Sequence, residues 1–253
     1  GLSVPAQTWS MQALKARPEC LWAAAIALES KPDATQLKEI LKPLQSGNDV
    51  MSRTVQARQA MNEKQFDKAI EIWRQAAAAE KDNPEVLLNL GLALEQAGRL
   101  ADALPIYRRV WEATQNPIAA NNAAYLTSQL HPKDTAKLAE AQKWMEAATK
   151  VAPDTAAFRD TLGWLACLQG RHDEALLQLG RAIKGLPDSP EAHYHLACAQ
   201  AAAGRTDLAR WHYAAAVALA EKLKAAGGES AVSAQEAGRL AKEALARLDP
   251  KKS

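Results

Sequence analysis

A chain of 253 residues suffices for one large domain or two small ones. It is 48% hydrophobic but only 5% aromatic, the profile of helices packed closely through small residues. A formal net charge of +2 supplies no strong field for nucleic acid or an acidic membrane, and no apolar run reaches the roughly 18 residues of a spanning helix.

The first 49 residues predict helices without a clear repeat. "RPECLWAAAIALESK" and "PDATQLKEILKPLQ" read as two helices split near Pro32, and a shorter one around "AQTWSMQALKA" precedes them. Residues 1–49 are expected to cap one end of the remaining chain as a degenerate pair. The chain opens at Gly1 rather than Met, which suggests a processed or shortened chain and leaves open the prior removal of a signal peptide or anchor.

From Val50 the sequence repeats. "NLGLALEQAGRLADAL", "DTLGWLACLQGRHDEAL" and "HLACAQAAAGRTDLAR" share one spelling: a small residue, a Gly seven positions on, and an Ala five positions after that. The Ala markers are Ala69, Ala103, Ala141, Ala175 and Ala209, and a fixed period in this range is the mark of stacked helical units. Five repeats begin near Val50, Pro84, Pro117, Ala156 and Pro190, each reading as helix, tight turn, helix. The first helix carries Ala57, Gly91, Ala124, Gly163 or Ala197 where helices cross. The second carries a larger residue four positions after its marker: Trp73, Tyr107, Met145, Leu179 or Tyr213. Gly98, Gly170 and Gly204 stand where a left-handed helix end is expected, and Pro84, Pro117 and Pro190 where a helix begins. Asp134, Asp154 and Asp188 are expected to serve helix starts. The third repeat departs from the period. "SQLHPKDTAKLAEAQ", Ser128 to Gln142, replaces the short Gly turn with a lengthened one, a candidate contact loop.

After the repeats, "AAGGES" breaks the chain at Gly227 and Gly228. "SAVSAQEAGRLAKEALARL" then reads as an amphipathic helix whose Leu240, Leu245 and Leu248 cover the last repeat. Residues 50–223 are thus expected as the repeat array and 224–253 as a capping helix and tail.

On these residues the chain resembles the tetratricopeptide-repeat (TPR) proteins over about residues 50–223. The resemblance implies an all-α right-handed superhelix of antiparallel helix pairs, concave on one side, that presents a groove to a partner. It places Arg58, Asn89, Leu92, Asn121, Asn122, Tyr125, Asp160, Trp164, Tyr194 and His195 on that groove, beside Thr54, Leu88 and Cys198. Asn89 and Asn122 match the Asn that peptide-binding TPR proteins set against a ligand backbone, since an amide donates and accepts at once. The Lys of the TPR carboxylate clamp is missing: Thr54, Leu88, Asn121, Asp160 and Tyr194 stand in its place. Leu92, Tyr125, Trp164 and Tyr194 would make the groove neutral and aromatic. Packing of Tyr125 and Trp164 between neighbouring helices is the open alternative.

"NNAAYL" and "SPEAHYHLACAQAAAGR" with the stretch between them are also similar to TPR arrays of Gram-negative envelope and exopolysaccharide-export proteins. That likeness implies a bacterial source and favours the periplasm or envelope over the cytoplasm.

Chemistry is not spelled in the chain. A Gly-rich phosphate loop, a Ser nucleophile elbow and a paired-Cys metal site are all missing, so no catalytic residue, metal or cofactor is expected. His193 and His195 point about 200° apart around a helix and cannot readily share a metal, even with His212 nearby. His172 reads as a solvated turn residue. Three cysteines give no disulfide framework, and Cys167 and Cys198 read as small buried side chains.

The expected function is that of a non-catalytic adaptor binding a protein or peptide partner, with no nucleic acid and no direct membrane insertion. The alternatives are the TPR part of a larger secretion or export component, and a self-associating scaffold.

Overall fold

A computed structural model describes residues 49–81, 83–225 and 232–248 of the chain. The helices expected within residues 1–48 and the break at Gly227 and Gly228 lie outside the described residues. Among those described there are eleven α-helices and no strand. The chain divides into two compact units, residues 1–97 and 98–253.

The described part of the first unit holds α1 (Val50–Asn62), α2 (Phe66–Ala79) and α3 (Pro84–Gln96). Each packs on the next. Asp49 caps α1 by accepting from the Ser52 N–H, and Asn83 caps α3 by accepting from Glu85, with Pro84 at a position whose N–H has no helical partner. Ala57, Ala69, Ala76 and Ala93 are fully buried, and the large Trp73 is buried with them, with 1% of its surface exposed.

The second unit holds α4 (Leu100–Thr114), α5 (Pro117–Leu130), α6 (Thr135–Val151), α7 (Ala156–Leu168), α8 (His172–Gly185), α9 (Pro190–Ala202), α10 (Thr206–Ala225) and α11 (Val232–Leu248). Consecutive helices pack in pairs across short turns, and the first helices of successive repeats also touch, α5 on α7 and α7 on α9. Helix starts coincide with the five expected repeat starts because the signals are local. Asn116 accepts from Ile118 and Ala119 ahead of α5, and Ser189 accepts from Ala192 ahead of α9. Asp134 caps α6 as expected. Asp154 does not cap α7: Thr155 takes the cap position, and Asp154 instead pairs with Arg159 at 3.2 Å. Ser189 likewise takes the place expected for Asp188.

Gly163 explains why a Gly stands beside a large aromatic in the middle of α7. A Cβ built on it would lie 2.7 Å from Leu179 Cγ, so the missing side chain is what lets α7 and α8 approach. The expected large residues Tyr107, Met145, Leu179 and Tyr213 are all buried.

Two expectations are corrected. The extra residues of the third repeat do not form a long loop. The turn is residues 131–134, and the added length lies mainly in α6, 17 residues against 14 in α8. A helix satisfies its own backbone groups, so extending one is the simplest way to house the insertion. In α11 Leu245 and Leu248 pack on the buried cluster of the last repeat as expected, but the buried residues of the helix are Ala234, Ala237, Gly238 and Ala241, and Leu240 is not among those packed on that cluster. A Cβ on Gly238 would meet Ala220 Cβ at 2.5 Å, so α11 lies too close to α10 for leucine. Ser233 ties the helix to α9 through Glu191 Oε1 at 2.7 Å.

Candidate functional site

The first helices of the last three repeats bring one polar pair and several rings together. Asp160 is the fifth residue of α7 and His195 the sixth of α9, so the packing of α7 on α9 sets them face to face. His195 Nδ1 donates to Asp160 Oδ2 at 2.9 Å. Both residues are buried, His195 to 2% and Asp160 to 8% exposure. Trp164 follows Asp160 by one helical turn and stacks on His195, centroids 4.4 Å apart and planes 16° apart. Tyr125 of α5 reaches the same imidazole at 6.3 Å, and Tyr194 lies 6.0 Å from Trp164. Tyr125, Trp164 and Tyr194 are each half-buried, so each keeps ring surface open.

Polar atoms in this patch outnumber their partners. Asp160 Oδ1, Trp164 Nε1 and Asn121 Oδ1 are shielded from solvent and meet no hydrogen-bonding group among the described residues. Asn121 makes a long contact from Nδ2 to Asn122 Oδ1, at 3.4 Å. Shielded polar atoms normally find partners, each unmet one costing about 1–3 kcal/mol. Two acceptors and one donor there are thus unused among the described residues.

Of the ten residues expected on the groove, the structure gathers Tyr125, Asp160, Trp164, Tyr194 and His195 into this cluster, with Asn121 and Asn122 on the neighbouring first helix. His195 and Asp160 are not surface-lining as expected, because each is the other's buried partner. Arg58, Asn89 and Leu92 belong to the first unit. There Arg58 is exposed, Leu92 is 46% exposed, and Asn89 donates from Nδ2 to the Glu85 carbonyl of its own helix at 2.9 Å. The sequence reading missed the Asp160–His195 pair. Its signal was present: an acid and an imidazole at adjacent positions of successive repeats.

Beneath Tyr194 lie two thiols. Tyr213 Oη donates to Cys198 Sγ at 3.4 Å, and both Cys167 and Cys198 are free and half-buried, less covered than expected. Burial pushes the Cys167 thiol up to about 11 and raises Cys198 as well, so neither is an activated nucleophile.

A second histidine pair joins α9 to α10. His193 Nε2 donates to the Pro187 carbonyl at 3.1 Å, which leaves His193 Nδ1 as acceptor for His212 Nδ1 at 2.9 Å. Burial, and then the neighbouring His193, hold His212 down to about 4. Trp211, 62% exposed, leans on both rings. His172 is not a turn residue: it opens α8, with Nδ1 shielded and unpartnered among the described residues. No group of three or more metal-ligating side chains occurs among the described residues.

Solved structures share this fold. The crystal structure of MamA is 19% identical, with a TM-score of 0.54, over 69% of this chain and 93% of that one. TTC0263, a thermophilic TPR protein of Thermus thermophilus, is 21% identical with a TM-score of 0.57, over 76% and 98%. YrrB, described as a TPR protein with an unusual peptide-binding site, is 17% identical with a TM-score of 0.55, over 72% and 95%. At such identities the likeness carries the fold alone. No curated relative matches the chain. The tetratricopeptide-repeat profile matches residues 54–117, 134–190 and 169–225, more than half of the sequence, and the chain belongs to that family.

Proposed function

We propose that this chain is a non-catalytic protein-interaction adaptor, and that the first-helix face of residues 98–253 holds an extended or helical segment of a partner. Membership of the TPR family supports the adaptor role in general. The observation that carries the finer reading is the gathering of Tyr125, Trp164 and Tyr194, from three successive first helices, around one buried polar pair. Half-exposed aromatic rings are the commonest energetic anchors of protein interfaces. Unused donors and acceptors beside them suit a peptide backbone, which offers both. The peptide-binding site named for YrrB is consistent with such use of the fold.

The test is a selection of displayed twelve-residue peptides on the full chain, followed by titration of the binders against Trp164→Ala and Tyr194→Ala. Removal of an anchoring ring is expected to weaken binding at least about tenfold. Binders that lose nothing with either substitution, or that protect other helices from hydrogen exchange, would place the partner elsewhere.

A further inference from the structure

We infer that the segment held on this face presents a lysine or arginine side chain to Asp160. This inference rests on the protein-binding reading above. A buried carboxylate is costly unless donors surround it. Among the described residues one donor reaches it, His195 Nδ1 to Oδ2, while Oδ1 meets none. Among the described residues no lysine or arginine lies within 4.0 Å of Asp160. The side chain stays 11% exposed although Oδ1 itself is shielded, so a cation arriving at that exposed edge must draw Oδ1 towards it; Tyr125, Trp164 and Tyr194 pack around the His195 that Asp160 meets.

Those rings favour the same charge. The faces of Trp and Tyr are negative and attract ammonium and guanidinium groups, most strongly where water is thinned. Trp164 spends one face on His195, and Tyr194 stands at 53° to it, 6.0 Å away. Tyr125 approaches from the far helix. A cation seated there meets ring faces and an under-donated carboxylate together. An anionic side chain would meet like charge, and an apolar one would leave Oδ1 as it is.

The probes are the labelled peptides recovered in the selection above, measured by fluorescence anisotropy on the full chain. For each, a copy is made with every lysine and arginine replaced by norleucine, and another with glutamate. The binders are expected to carry a basic residue. The norleucine copy should bind about tenfold more weakly or worse, since a charged hydrogen bond and a cation–ring contact go together, and the glutamate copy should not bind measurably. Asp160→Asn should cost the parent peptide about as much as norleucine does, and cost the norleucine copy little. The peptide series is read on the unaltered protein and does not depend on how that variant folds. Binders without basic residues, or norleucine copies as tight as their parents, overturn the inference and leave the adaptor reading standing. A selection that yields no binder overturns both.

Discussion

His195 and Asp160 lie 35 positions apart in sequence and 2.9 Å apart in space, and they pin the first helix of one repeat to that of the next. Each is buried, so removing one strands the other. His195→Ala is expected to destabilise the protein by about 3 kcal/mol, because an unpaired carboxylate is left inside. The double variant Asp160→Ala/His195→Ala should cost clearly less than the two single changes added together. Urea unfolding at pH 7 measures the cycle. Additive losses would mean that the two side chains are neighbours without coupling.

Two glycines make a matched pair of substitutions. Gly163→Ala places a Cβ within 2.7 Å of Leu179 Cγ and should cost about 1–3 kcal/mol by overpacking, despite the better helix propensity of Ala. A Cβ on Gly180, in α8, meets nothing within 4 Å, so Gly180→Ala should stabilise by about 0.5–1 kcal/mol. Leu179→Ala alone should cost about 2–5 kcal/mol by leaving a cavity, and the double variant Gly163→Ala/Leu179→Ala should cost clearly less than the two single changes added together. Thermal denaturation of the four variants decides it, and equal effects at Gly163 and Gly180 would sink the close-approach account.

How far the sequence spoke depends on whether a feature is local or shared between repeats. Pro84, Pro117 and Pro190 open α3, α5 and α9 as read, because capping and proline geometry are settled within four residues. Ala69, Ala103, Ala141, Ala175 and Ala209 were legible as repeat markers because the period repeats them, and all five are fully buried. What escaped was geometry across repeats. Asp160 and His195 were both placed on the concave wall, yet nothing within either repeat says that they meet and sink below it. The seam of α11 escaped for a similar reason. Helix periodicity marks Leu240, Leu245 and Leu248 as apolar, but only the approach to Ala220 shows that Gly238 holds a contact too close for any side chain. The third-repeat insertion was visible in length and misread in form, because "HPKD" looks like a loop and serves as a four-residue turn ahead of a longer helix.

The pair His193–His212 predicts an acid-side loss of stability. His212 is held down to about 4 in the folded state, below its ordinary 6.5, by burial and by His193. Between those values the unfolded chain binds the proton that the folded one refuses. The stabilisation is fully present above about pH 6.5 and is lost as pH falls towards about 4. The melting temperature should therefore drop across that window, and less steeply in His212→Gln. Parallel profiles for the two proteins would show that this imidazole is not the source.

Cys167 and Cys198 predict slow thiol chemistry with a specific dependence on Tyr213. Burial pushes Cys167 up to about 11 and raises Cys198, so little thiolate exists near pH 8. In a Cys20→Ser background, reaction of the folded chain with a disulfide reagent at that pH should run about a hundredfold slower than that of the chain in urea. The raised values also mean that the folded state holds these protons longer than the unfolded one. Their contribution to stability is present below the ordinary thiol value of 9.0 and is lost as pH climbs through the raised values. The Tyr213 hydroxyl donates to Cys198 Sγ at 3.4 Å and works against burial by favouring the thiolate. Tyr213→Phe keeps the ring in place and removes that donor, so Cys198 should react more slowly still. Faster labelling in this variant would show that the hydroxyl shields the sulfur more than it favours its ionised form, and would reverse the order of the two effects.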